Sequence, residues 1–500
     1  MLTTSRKFTD IRSCWASPYT NRRMVFPRAA FVRILALIIA VCLFAPVSAE
    51  DTRDSLEKMR DFNAVQTIYR NGVPHTDKNG RLLTKYDPER SFFQIAVWGN
   101  PIGNVHGYEY DLKLLTDAGM NTMWPYYTDV EAQLEAGRQA GLQVVIMGKW
   151  PVGKLEKVKD HPNWLGVVWH DEPTGNLWGK DMEGKYQEFL DYKVQINELA
   201  PGRAVFINDC PWITAPATQW WVKWNTAGDV SCHDNYPIMN RKYRARTLDN
   251  EELKTGIPES VNLAVAVNKE QRPVWFIVGA FLEVGNEKFP FRMPTPMQLR
   301  AQVYAAIIHG ASGIIYFAWD SWVTRDGRVI GMSPDPQLAY PCPDANKIQR
   351  VVPTPMQLAE SKAAWMATTQ VNKELHELTP SLLSPTVGQE IKYTVATKGE
   401  HVTDVPIRCL LKPHPDGGYI LLTVNLDDAV LSTTFEFPDG LKTVTPMFEN
   451  REPYELALEQ TSFTDRFDPF DVHVYRIATA RQEVGQAGRK VSDSVIQVKQ

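Results

Sequence analysis

From residue 92 onward, short apolar runs rich in Val, Ile, Phe and Trp alternate with stretches whose apolar positions recur every three or four residues. The first kind suits strands buried on both faces, the second amphipathic helices. Eight strands are expected at 92–98, 121–127, 143–149, 165–170, 204–209, 229–236, 273–281 and 313–319. Helical patterns separate them, among them 108–118, 129–140, 180–199 and 295–309. Gly119, Gly141 and Gly310 follow three of these as stop signals, and Pro294 and Pro296 suit the start of the last. Eight strand-then-helix units over about 280 residues fit a (β/α)8 TIM barrel in count and size. A doubly wound sheet would carry a glycine-rich phosphate loop after its first strand, and Trp98-Gly99-Asn100-Pro101 is no such loop.

A last barrel helix is expected at 356–378, after which the period changes to two. Strands at 392–397, 407–411, 419–425, 433–437, 444–448 and 472–477, with turns at Asp416-Gly417-Gly418 and Asp439-Gly440, predict a C-terminal antiparallel β-sandwich. Ahead of the barrel, residues 34–45 form an apolar core preceded by basic residues and followed by Val47-Ser48-Ala49, the pattern of a signal peptide with a small-residue cleavage site. The expected organisation is a signal peptide at 1–49 (with Met24 as an alternative start) and a lead-in with one hairpin at 50–91. The catalytic barrel follows at 92–380, the sandwich at 381–479 and a disordered tail at 480–500. Such a chain is exported, secreted or periplasmic, and stands free of the membrane after cleavage.

Composition narrows the function. With 44% hydrophobic and 22% charged residues in 500, the chain can bury large cores. The formal net charge is −4, but the leader holds seven basic residues against Asp10 alone, so the body is markedly acidic and a poor partner for nucleic acid. Cys210 and Cys232 either pair across neighbouring strands or remain buried thiols; the cysteines form neither a disulfide framework nor a zinc pattern. No Gly-x-Ser-x-Gly elbow and no His-Glu-x-x-His helix occurs. No metal and no cofactor is called for, and nothing fixes an oligomeric state.

In a barrel of this kind the chemistry sits at the carboxyl ends of the strands. Those ends collect Trp98, Trp124, Tyr126, Lys149, Trp150, His170, Asn208, Asp234, Tyr236, Trp319 and Asp320. Flat rings stack on the apolar faces of sugars while carboxylates and amides bind hydroxyls, so a carbohydrate is the expected partner. Trp98, Trp124, Tyr126, His170, Asn208, Asp234, Tyr236, Trp319 and Asp320 are the candidate contacts. Core packing is the competing reading of any single Trp.

The fourth strand ends in Trp169-His170-Asp171-Glu172-Pro173. A glutamate there, with an apolar strand and indoles nearby, can hold a raised pKa and serve as the acid that protonates a leaving oxygen. Alternatively, Asp171 and Glu172 cap the following helix. The chain here resembles the retaining glycoside hydrolases of clan A, the four/seven superfamily of (β/α)8 enzymes, over roughly residues 90–380. In that clan an Asn-Glu pair ends strand four and its Glu is the acid/base, a role the resemblance gives to Glu172; Asp171 stands where the clan has Asn. The clan's nucleophile is a Glu ending strand seven, for which Glu283 is the candidate, with Asp234 and Asp320 as fallback partners. Tyr236 would support that nucleophile. The Asp171–Glu172 pair is also similar to that of substrate-assisted hexosaminidases, in which the Asp steadies the substrate's own 2-acetamido group. The expectation is a secreted glycoside hydrolase. The alternatives are a substrate-assisted N-acetylhexosaminidase and a noncatalytic carbohydrate-binding barrel.

Overall fold

The computed structural model describes residues 74–479, apart from 106–107, 126–128, 178, 212–216, 240–248, 251–254, 270, 288–289, 324–326, 334–352, 388–390, 398–405 and 458. The leader, most of the lead-in, the tail, Tyr126 and most of the 321–352 connection fall outside the described residues.

Eight parallel strands close into a barrel: β1 (Gln94–Asn100), β2 (Thr122–Pro125), β3 (Gln143–Met147), β4 (Trp164–Asp171), β5 (Ala204–Asn208), β6 (Ser231–Asp234), β7 (Val274–Gly279) and β8 (Gly313–Phe317). Each pairs with its neighbours in chain order, and β8 pairs with β1 to complete the ring. The intervening helices are α1 (Lys113–Asp117), α2 (Val130–Ala140), α3 (Val152–Leu155), α4 (Met182–Leu199), α5 (Ala217–Ala227), α6 (Ile257–Asn268), α7 (Pro296–His309) and α8 (Pro355–Leu382). Local signals set their ends. The Asp129 carboxylate accepts the backbone N–H groups of Glu131 and Ala132 at the start of α2, and Gly141 closes it at φ 74°. A reciprocal Thr295–Gln298 capping box opens α7. The expected helix at 108–118 is shorter than predicted, because Tyr108–Glu109 pairs with Asn104–Val105 before α1 begins.

Alternation along the strands builds the site. Ala204 and Phe206 of β5, Cys232 of β6, Trp275 and Ile277 of β7 and Ile315 of β8 face a common buried cluster inside the barrel. One further step of that alternation brings Asn208, Asp234, Gly279 and Phe317 to the carboxyl-end mouth.

The sandwich has a three-stranded sheet, β9 (Lys392–Thr397), β12 (Leu431–Glu436) and β14 (Ser462–Phe467). Its second sheet has four strands: β10 (Ile407–Pro413), β11 (Tyr419–Asn425), β15 (Val472–Thr479) and β13 (Leu441–Met447). All its pairings are antiparallel. Strand β14 departs from the sequence reading, which has no strand there. Its inward positions run Phe463, Asp465, Phe467, and the acid in the middle interrupts the apolar alternation. Asp465 is accommodated by accepting from the Tyr475 hydroxyl (2.6 Å) and Arg451 (2.7 Å).

The sandwich is anchored to the barrel through α7. Arg300 donates to the Val472 carbonyl and, at 3.0 Å, to the buried Glu374 carboxylate of α8, which also accepts the Tyr304 hydroxyl at 2.8 Å. Tyr304→Phe removes one hydrogen bond to a buried charge. It should lower unfolding stability by about 1.5–3 kcal/mol, read as a shift in denaturant midpoint.

Candidate active site

Pro173 disfavours the right-handed helical region for the residue before it. Glu172 takes the left-handed conformation instead, at φ 46° and ψ 57°. Such a backbone is uncommon for a non-glycine residue and persists only when its surroundings hold it. Here the Glu172 N–H donates to the Asn208 carbonyl of β5 at 2.7 Å, and its carbonyl accepts from the Asn176 N–H at 2.8 Å. Its side chain makes no capping hydrogen bond to the short helix Pro173–Asn176, so the helix-cap reading fails for Glu172. The carboxyl is buried instead beside Asp234, Asp171 and Asp209.

Asn208 organises the acids around it. Its Nδ2 donates to Asp171 Oδ1 and to Asp234 Oδ1, each at 2.9 Å, while its Oδ1 accepts from the Cys232 thiol at 3.7 Å. One amide thus spans the ends of β4 and β6. The side chains of Glu172 and Tyr236 also lie beside the Asp234 carboxylate. Asp209, also at this end of the barrel, is fully buried and turned aside: it accepts from the Thr174 N–H at 3.1 Å and the Thr174 hydroxyl at 2.5 Å.

Four acids this close cannot all ionise cheaply. Burial first, then the charges of Asp234, Asp171 and Asp209, holds Glu172 well above the usual carboxylate range. Burial raises Asp171 to about 7, with the Asn208 amide opposing and the Asp234 charge reinforcing the shift. Asp234 is raised by burial and moderated by donors from Asn208, Glu172 and Tyr236. The cluster as a whole favours holding protons, and Glu172 is the member whose shift is reinforced by three neighbouring carboxylates. The stability consequence has a definite sign. A carboxyl whose folded pKa is raised favours folding most below its unfolded value near 4, and that contribution is lost as pH rises through about 7. Asp171→Asn removes it. The variant should therefore gain stability relative to wild type between pH 5 and 8, by at least roughly 1 kcal/mol, in paired thermal melts.

Half-buried rings form one wall of the mouth. Tyr236 stacks on Phe317 (5.6 Å between centroids, 21° between planes), and Phe291 and Trp322 lie edge-on to these two at 5.9 and 5.7 Å. Phe281 packs beneath them. Of this wall only Tyr236 is among the residues expected from sequence. Phe317 had a signal, since it lies two positions beyond the inward-facing Ile315 on β8.

Three expected sugar contacts are corrected. Trp124 is 0% exposed, wedged inside the barrel between Trp98, Phe206 and Trp275. Trp98, 4% exposed, belongs to the same interior layer. Trp319, 3% exposed, packs against Trp365 of α8 at 4.8 Å. All three are core, because the strand phase that sends Asn208 and Phe317 to the mouth sends these rings below it or outward. Asp320 is fully buried, with its Oδ1 accepting the Ser321 N–H at 2.7 Å. His170 is half-buried, its Nδ1 2.7 Å from the Asp171 carbonyl and its ring beside Trp169.

Glu283 is not at the end of β7. It lies in Leu282–Val284, which pairs antiparallel with Arg328–Ile330 beyond the barrel, and its Oε2 accepts the Asn286 amide at 2.6 Å. Gly279 occupies the strand's end for a steric reason: a Cβ there would come within 2.9 Å of the Tyr236 ring. Cys210 and Cys232 are both free and buried, which decides against a bridge. Among the described residues no group of three His, Cys, Asp or Glu side chains could hold a metal ion, and no helix is long and apolar enough to cross a membrane.

No family model and no curated protein matches the sequence. Similar solved structures include a glycoside hydrolase (12% identity, TM-score 0.49, covering 83% of this chain and 99% of that one). A family 39 glycoside hydrolase from the gut symbiont Bacteroides cellulosilyticus WH2 is similar at 10% identity, TM-score 0.45, covering 81% and 83%. A family 5 glycoside hydrolase from Bacteroides vulgatus ATCC 8482 is similar at 12%, TM-score 0.44, covering 83% and 96%. At these identities the reading of the site rests on its own geometry.

Proposed function

We propose that the protein is a glycoside hydrolase acting on a poly- or oligosaccharide, with Glu172 as general acid. The observation that carries this reading is the gathering of Asp171, Glu172 and Asp234 around Asn208 at the carboxyl ends of β4 and β6, beside half-buried rings. Glycosidic bonds break when a carboxylic acid protonates the leaving oxygen while anionic groups stabilise the positive charge that develops on the sugar. Burial and the neighbouring acids favour the protonated form of Glu172, and Asp171 and Asp234 lie beside it where the positive charge on the sugar would develop. The rings of Tyr236 and Phe317 offer a stacking surface for the pyranose. The leader-like segment ending at Val47-Ser48-Ala49 supports action outside the cytoplasm.

Two routes to a retained product remain distinct. In the first, Glu283 attacks the anomeric carbon. In the second, the substrate's 2-acetamido oxygen attacks and Asp171 steadies its N–H. The occupation of β7's end by Gly279 under Tyr236 favours the second, because it removes a carboxylate from the position next to Asp234. A panel of paired glycosides, identical except for a 2-acetamido or 2-hydroxyl group, separates them. Cleavage confined to the 2-acetamido members, lost in Asp171→Asn and kept in Glu283→Gln, supports substrate assistance; the reverse pattern supports Glu283. Binding of glycans without cleavage of any would leave a noncatalytic carbohydrate-binding barrel.

A further inference from the structure

The third helix of the barrel, α3, is a single turn of four residues, where α4 beside it has 18. A helix that short leaves the flank of its neighbour uncovered. A cleft of about 590 Å³ opens there, between the chain that follows β3 and the side of α4, and this is the size of a site for a small organic ligand. On the α4 side it is polar. Gln187, Glu188, Asp191 and Gln195 line it at the three- and four-residue spacing of one helix face, while Phe189 and Ile196 of the same helix are buried in the core.

Opposite that polar face stands the half-buried Trp150. Its indole N–H donates to the Met147 carbonyl at 2.9 Å, and the Lys154 ammonium lies 5.4 Å from the ring centroid. The ring is therefore held in place with its one polar atom already used, and what it offers the cleft is apolar surface. The charges at the rim are matched within the chain: Glu188 pairs with Lys149 and with Lys185, each at 2.6 Å. The Gln187 amide donates to Asp191 at 2.8 Å, which keeps both at the cleft. Position ties the cleft to the mouth of the barrel. Strand β3 runs parallel to β4 with Met147 opposite Val168, and the Gly148 N–H donates to the Val168 carbonyl at 2.7 Å. Lys149 and Trp150 thus stand at the same end of the barrel as His170 and Asp171, and the cleft runs from there along α4 as far as Gln195.

We propose that this cleft is a second saccharide-binding site, in which Trp150 stacks on the apolar face of a pyranose while Gln187, Asp191 and Gln195 hydrogen-bond its hydroxyls. A polysaccharide chain is then held on the flank of the barrel as well as at its mouth. The choice of a saccharide rests on the glycosidase reading of the mouth. It also follows from the cleft, since a flat apolar ring facing amides and a carboxylate matches a sugar, whereas an apolar peptide would meet polar side chains along the whole α4 side.

The test is native electrophoresis of the full-length protein through gels containing a soluble polysaccharide, with Glu172→Gln present in every sample so that no chain is cut. The probes are a β-glucan, a xylan, a galactomannan and glycol chitin. Migration slowed by at least one of them is expected, with Trp150→Ala weakening the apparent affinity about tenfold, as truncation of an aromatic anchor does. Gln187→Ala/Gln195→Ala should weaken it by roughly threefold or more. Slowing that is equal in all three proteins, or absent with every probe, would overturn the proposal. Should Trp150→Ala fail to fold, the glutamine pair decides alone, because both side chains are exposed. Hydrolysis is read separately, on aryl glycosides of a single sugar. A protein that cleaves none of them, yet is slowed in a manner that depends on Trp150, would sink the glycosidase reading and keep the second site. Cleavage without slowing that depends on Trp150 would do the reverse.

Discussion

Glu172→Gln should lower turnover on a saccharide substrate by about 10²–10⁴-fold while leaving the fold intact, since the amide keeps the size of the side chain and loses only the proton to be delivered. The same proton sets the pH profile. The acid works only while protonated, so activity should fall as pH rises through the titration of the Glu172–Asp234–Asp171 set, which titrates as a unit. Asp234→Asn removes the charge that, after burial, does most to raise Glu172. In that variant the alkaline limb should move to lower pH. An alkaline limb in the same place for both proteins would mean that some other group delivers the proton.

Trp124→Ala is the second large effect, and it concerns stability. The ring is fully buried and touches Trp98, Phe206 and Trp275 inside the barrel. Truncation leaves a cavity in a layer that the eight strands cannot close over, at a cost of about 3–5 kcal/mol. Denaturant unfolding of the variant should show that loss, and the fraction that remains folded should bind substrate as wild type does. A stable variant with a raised KM would put Trp124 back among the sugar contacts.

The contrast between Trp124 and Phe317 shows what could be read from sequence and what could not. Strand positions were legible, because strands buried on both faces are apolar runs bounded by turns, and the helix stops at Gly119 and Gly141 were equally plain. The Asp171–Glu172 pair was legible because the acids follow an apolar strand and precede a proline. What a linear pattern leaves open is depth. Trp124 and Phe317 both sit near strand ends, and only the closed register of β1, β2 and β8 puts the first below the mouth and the second at it. Glu283 illustrates the same limit. Its strand reads without interruption to residue 281, yet the Tyr236 ring lies over Gly279 and sends the chain into a separate small sheet. In the sandwich, β14 was lost because an ion-paired aspartate occupies an inward position.

The central claim is that Glu172 hands its proton to a leaving oxygen. It is tested most directly by comparing wild type and Glu172→Gln on two substrates of one sugar, one with a poor, sugar-like leaving group and one with a dinitrophenolate that needs no protonation. The account predicts a loss of several orders of magnitude on the first and little loss on the second. Equal losses on both, or none on either, would contradict it.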